Sequence, residues 1–184
     1  CAKVVAAGAS YEKMRFSYQE YFERMTDRKS WGKPLSALLG ALKMQVEFGL
    51  PSIGGKDSMS GTFENINVPP MLMAFGITTV DAGQVISPEL KYEGNKLYLI
   101  KHTPLDNHMP NVEQLKANWA YVHEQVQAEN IVSGYALGFG GVAEAICKMS
   151  FGNGLDAKIK YDEKELFNYG YGSILVEAEE ALDY

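Results

Sequence analysis

The chain has 184 residues and 46% hydrophobic content, enough for one large domain or two small ones with packed cores. A net charge of −6 and a pI near 5.1 argue against a nucleic-acid groove. No apolar run approaches the roughly 20 residues of a membrane span, and no basic-then-apolar leader opens the sequence. Cys1 and Cys147 are the only cysteines, too few for a disulfide framework, so a reducing, cytoplasmic setting is the expectation.

The chain opens at Cys1 and runs at once into Val4-Val5-Ala6-Ala7-Gly8. This reads as the interior of a fold, and a longer parent protein is expected. Tyr18, Tyr21, Phe22 and Met25 recur at helical spacing and predict a helix within residues 11–25. Pro34 suits a first helical position, and Leu35, Leu38, Leu39, Leu42 and Val46 continue an amphipathic helix that stops at Gly49 and Pro51. Pro69-Pro70 opens an apolar run, Met71 to Val80, too continuous for a half-exposed strand and expected to be buried on both faces. Asp81 to Gly94, acidic and containing Gly and Pro, is the expected linker or boundary.

A second unit follows. Lys96 to Lys101 reads as a strand, Asn111 as the N-cap of a helix running through Glu124 or beyond, and Gly138 to Gly141 as a glycine turn. That turn opens a helix from Val142 to Met149. Ala157 to Tyr161 and Ser173 to Ala178 read as strands. The class is α+β, with α/β-like alternation.

Between these parts lies the run Gly54-Gly55-Lys56-Asp57-Ser58-Met59-Ser60. Its glycines let backbone N–H groups approach a ligand closely, and clustered N–H groups hold anions. Lys56 adds a point charge suited to phosphate. Asp57, Ser58 and Ser60 are hard oxygen donors of the kind Mg²⁺ takes beside phosphate oxygens. The set suits a nucleoside polyphosphate. It is not a Walker A loop, because Leu50 stands where a glycine is needed and Asp57 follows the lysine. An ordinary surface turn would draw on the same residue types.

Other constellations are weaker. Gly138-x-Gly140-x-x-Ala143, with Asp162 downstream, formally fits a dinucleotide fingerprint, but the chain left after Asp162 is too short for further βα units. Close helix packing is the plainer role for these glycines. His102, His108 and His123 match no zinc spacing. There is no Gly-x-Ser-x-Gly elbow. Neither Cys1 nor Cys147 has the surroundings of a glutaminase nucleophile. The Tyr169-Gly170-Tyr171-Gly172 segment is a turn.

The run Gly49 to Ser60 resembles the phosphoribosylformylglycinamidine synthases, the large glutamine-dependent ligases of purine biosynthesis. Their second synthetase half carries a Gly-Lys-Asp-Ser-Met-Ser loop after a helix. Met14-Arg15-Phe16-Ser17 with Tyr21-Phe22 looks like that family's Arg-x-Ser segment, and Ser133 to Gly154 resembles its last glycine turn and helix. The resemblance implies an aminoimidazole ribonucleotide (AIR) synthase-like fold. Residues 1–90 would close the N-terminal-type subdomain and residues 91–184 would form the C-terminal-type one. It implies ATP-dependent conversion of formylglycinamide ribonucleotide to the formylglycinamidine. ATP phosphorylates the formylglycinamide oxygen, and ammonia from glutamine displaces the phosphate.

On this resemblance ATP or ADP and Mg²⁺ are the cofactors. Gly54, Gly55, Lys56, Asp57, Ser58 and Ser60 bind nucleotide, Asp57 also serves the metal, and Arg15 is a lesser anion contact. The partner is the remainder of the synthase, and the chain alone is expected to be inactive and to self-associate. No nucleic-acid or membrane partner is implied. One departure stands out. The family carries His-Asp-x-Ser-Asp-Gly-Gly at its last turn, whereas this chain reads Tyr135-Ala136-Leu137-Gly138-Phe139-Gly140-Gly141 and has lost both carboxylates. That leaves a structural or assembly module, or another ATP-using member of the same superfold, as alternatives.

Overall fold

The computed structural model describes residues Cys1–Tyr184, which form two compact units, Glu12–Thr78 and Cys1–Tyr11 with Thr79–Tyr184. No helix is long and apolar enough to cross a membrane.

The unit Glu12–Thr78 is built on a three-stranded sheet of order β2-β1-β5. Strand β1 is Arg15–Tyr21, β2 is Ser52–Ser58 and β5 is Met71–Ile77. The small ribbon β3 (Thr62–Phe63) and β4 (Ile66–Asn67) lies between them in sequence. β1 pairs in parallel with β2 and antiparallel with β5. The helix expected within residues 11–25 is therefore a strand. Phe16 and Tyr18 suit a pleated surface, and ladders on both sides outweigh a short helical periodicity.

The crossover from β1 to β2 is α2, Arg28–Phe48. It starts earlier than expected. The Asp27 carboxylate accepts from the Ser30 amide at 2.7 Å, and the Ser30 hydroxyl serves the Asp27 amide, a reciprocal cap that nucleates the helix there. Pro34 thus lies inside the helix and lacks the N–H that would bond the Ser30 carbonyl. The stop at Gly49 is as expected.

The apolar stripe of α2 faces solvent: Trp31, Leu35, Leu38, Leu39 and Leu42 are each about half exposed, and Val46 is 72% exposed. The expectation that Met71 to Val80 is buried on both faces does not hold. β5 is an edge strand, and Met71, Phe75 and Ile77 on one of its faces are exposed.

The other unit opens with the short helix α1, Ala2–Ala6, and continues from Thr79. Its sheet has the order β6-β8-β7, all antiparallel, from Lys96–Ile100, Ile174–Ala178 and Ile131–Ala136. α3, Val112–Gln127, packs with α1 and β7, and every residue of central β8 is buried. Asn111 caps α3 as expected, accepting from the Gln114 amide. Helix α4, Gly141–Phe151, packs Val142, Ala145 and Met149 against Leu90, Leu137 and Leu175.

Two expectations shift here. Ala157 to Tyr161 pairs with no strand; Ala157 and Tyr161 pack against the α4 cluster instead. The segment from Asp81 to Gly94 is not a free linker. The Ile86 amide bonds the Ala7 carbonyl, the Leu90 amide bonds the Met149 carbonyl, and the amides of Lys91 and Tyr92 bond the Glu177 carboxylate. These bonds hold it in the larger unit, which resumes at Thr79.

Candidate functional site

The Gly54–Ser58 run lies on β2, the edge strand of its sheet, where a loop was expected. Register fixes the geometry. Ser17 pairs with Gly54, Tyr18 with Gly55, Gln19 with Lys56, Glu20 with Asp57 and Tyr21 with Ser58. Successive side chains on a strand point to opposite faces, and parallel partners share a face. Lys56 and Ser58 therefore lie on one face with Ser17, Gln19 and Tyr21. Asp57 lies on the other with Tyr18 and Glu20. Arg15 alternates onto the Lys56 face and donates to the carbonyls of Lys13 and Met14. Ser60 follows the strand; its carbonyl accepts from the Thr62 amide.

The two glycines are not equivalent. A Cβ at Gly55 would stand 2.7 Å from the Tyr18 carbonyl oxygen, so the close approach of β2 to β1 requires a bare Cα there. A Cβ at Gly54 would meet nothing within 4 Å, so the space over its Cα is open. Lys56 is exposed, and its Nζ donates to the Asp57 carbonyl at 3.0 Å.

Sequence reasoning missed Glu20. It is only 5% exposed, and its Oε1 has no hydrogen-bond partner. Burial raises its carboxyl above the ordinary range, with Asp57 as the lesser cause. Tyr18, two residues back on the same face, is raised by burial as well. The signal in the sequence was the alternation Phe16, Tyr18, Glu20, which identifies one face of a strand once the helical reading is set aside.

The turn Tyr135–Gly141, in the other unit, has its own occupant. The Gly140 amide donates to Glu144 Oε2 at 2.8 Å, and the same carboxylate accepts from Lys148 at 2.5 Å and from the Tyr135 hydroxyl at 3.3 Å. These bonds hold Glu144 below the ordinary carboxylate range, Lys148 first and the Gly140 amide next. The Ala143 amide is taken by the Leu166 carbonyl. A pyrophosphate would compete with Glu144 for this helix start. Gly141 has φ +60°, and a Cβ there would come within 2.5 Å of the Asn168 carbonyl oxygen. The glycine turn thus serves packing, and Asp162 turns back on the Lys164 amide.

The histidines do not converge. His102 is buried and bridges the Tyr171 carbonyl and the Asn111 amide, while His123 contacts the Gly8 carbonyl. No three His, Cys, Asp or Glu side chains anywhere in the chain are grouped to hold a metal by themselves. Cys1 and Cys147 are free thiols.

No protein-family model matches the sequence, and no curated protein matches it. Solved structures do match in fold. PurL of Thermotoga maritima complexed with ATP superposes with a TM-score of 0.65 at 13% identity, over 97% of this chain and 31% of that one. Phosphoribosylformylglycinamidine synthase II of the same organism gives 0.64 at 18% identity, over 98% of this chain and 28% of its own. Thiamine monophosphate kinase of Aquifex aeolicus gives 0.58 at 14% identity, over 100% and 71%. The chain has the AIR synthase-like fold that these proteins share, and it spans about 30% of the length of the PurL chains it matches.

Proposed function

We propose that this chain is the nucleotide-binding portion of an ATP-dependent C–N ligase of the phosphoribosylformylglycinamidine synthase type. In the longer protein it would serve the amination of formylglycinamide ribonucleotide, with ammonia supplied from glutamine. The observation that carries the reading is Lys56. It is an exposed cation on an open sheet edge, two residues from a glycine, Gly54, with free space over its Cα, in a chain with the fold of PurL. An edge strand offers unpaired backbone N–H groups. A polyphosphate lying along that edge would meet the outward N–H of one of the two glycines Gly54 and Gly55, whose N–H groups point to opposite sides of the strand, with Lys56 from one face, Asp57 from the other, and the hydroxyls of Ser58 and Ser60.

The residues present fit Mg²⁺. Asp57 is an exposed carboxylate, and the orphaned Glu20 oxygen lies on the same face. Bound there, the ion would neutralise phosphate charge. We assign the unit Glu12–Thr78 to the N-terminal-type subdomain and the remainder to the C-terminal-type one.

The carboxylate-free turn at Tyr135–Gly141 favours a second reading, in which the nucleotide is held for assembly and does not turn over. Calorimetric titration of ATP, ADP and adenosine tests the binding common to both. Lys56→Ala is expected to weaken ADP about ten- to a hundredfold, the worth of a charge-assisted hydrogen bond of roughly 1.5–3 kcal/mol. It should leave adenosine and the melting temperature nearly unchanged, because the side chain is exposed. Equal ADP affinity in wild type and variant returns Gly54–Ser60 to a surface strand.

A further inference from the structure

A buried carboxylate oxygen without a partner needs an explanation. An uncompensated charge in a desolvated site is costly, so such groups take a proton, a water or a cation. Glu20 is 95% withdrawn from solvent, and its Oε1 is orphaned. Its strand neighbours offer little: Leu72 faces it from β5, and Asp57 faces it from β2. Two carboxylates in register on one face repel each other unless a positive charge sits between them.

We propose that Glu20 is the second protein ligand of the divalent cation that Asp57 takes, on the face of the sheet opposite Lys56. This rests on the nucleotide reading of β2. With no third carboxylate, histidine or cysteine grouped there, the remaining positions go to phosphate oxygens and water, the usual arrangement for Mg²⁺. The arrangement also divides the labour of the strand: the cation is held from one face and the lysine reaches phosphate from the other.

Mn²⁺ alone, titrated into the chain and followed by loss of the free-ion EPR signal, tests this. Wild type is expected to bind. Glu20→Gln and Asp57→Asn are each expected to weaken binding at least about tenfold, since loss of a mere orienting partner already costs that much. In metal-free protein Glu20→Gln should melt no lower than wild type, because it removes an orphaned buried acid. Unchanged Mn²⁺ affinity in Glu20→Gln, or no Mn²⁺ binding by wild type, overturns the proposal. Should Glu20→Gln not fold, Mn²⁺ broadening of the wild-type carboxyl ¹³C signals decides: broadening of Glu20 with Asp57 supports it, and broadening of Asp57 alone refutes it. ADP titrated in the presence of Mg²⁺ keeps the two readings apart. No ADP binding alongside intact Mn²⁺ binding that Glu20→Gln weakens sinks the nucleotide reading and leaves a cation site at Glu20 and Asp57 without a phosphate.

Discussion

Gly54 and Gly55 are adjacent, and alanine at each should have opposite consequences. At Gly55 the new Cβ would lie 2.7 Å from a backbone oxygen of β1, and backbone cannot swing aside as a side chain can. Either β2 moves outward along its parallel ladder or the contact stays compressed. Overpacking of this size costs roughly 1–3 kcal/mol. At Gly54 there is open space, and its φ is not in the left-handed region, so alanine fits. Reduced freedom of the unfolded chain should then stabilise by about 0.4–1 kcal/mol. For a chain of this size each kcal/mol moves the melting temperature by roughly 2–4 °C. Gly55→Ala is therefore expected to melt several degrees lower and Gly54→Ala level or slightly higher. Ligand binding should show a different pattern. Gly54→Ala should weaken ADP without loss of stability, because its methyl fills the space a phosphate would approach. The assays are thermal unfolding by circular dichroism and ADP calorimetry on the same samples. Equal melting temperatures for the two variants would refute the strand register, and unchanged ADP affinity in Gly54→Ala would remove that backbone from the site.

Glu177 accepts from the amides of Lys91 and Tyr92 and from the Asn95 side chain, and is 1% exposed, so Glu177→Ala orphans three donors and should cost about 3–5 kcal/mol, read by urea unfolding. His102 is held neutral, its Nε2 accepting from the Asn111 amide, and burial lowers its pKa from the usual 6.5. The stability it contributes is therefore present above about pH 6.5 and lost as pH falls below that value toward the lower folded pKa. Wild type should lose stability on acidification faster than His102→Gln, and parallel pH profiles would refute this. The exposed stripe of α2 and the open face of β5 should drive self-association, so light scattering is expected to show mass rising with concentration, and Leu38→Asp with Leu42→Asp should lower it. A monomer at high concentration would count against that surface.

The sequence by itself determined much of the secondary structure in the larger unit. Asn111 and its cap, the apolar faces of α3 and α4, and β6 and β8 follow from local signals that tertiary packing reinforces. It also determined the chemistry of the Gly54–Ser60 run, because residue type alone supplies a cation, a carboxylate and hydroxyls. What it could not decide was where that chemistry points. Residues 15–21 carry both a helical and a strand periodicity, and only pairing with β2 on one side and β5 on the other resolves them, since ladder hydrogen bonds join residues far apart in sequence. The same pairing turns the expected phosphate loop into an edge strand and parts Lys56 from Asp57 across its two faces. It brings Gln19 beside Lys56 and Glu20 beside Asp57, neighbours that lie a whole helix apart along the chain. The lack of carboxylates in the Tyr135–Gly141 turn was legible in the sequence, but the return of Glu144 to the Gly140 amide was not, because a helical side chain reaches back over its own first turn only once the helix exists. Composition fixes which groups are available; register and alternation, set by contacts distant in sequence, decide which of them meet.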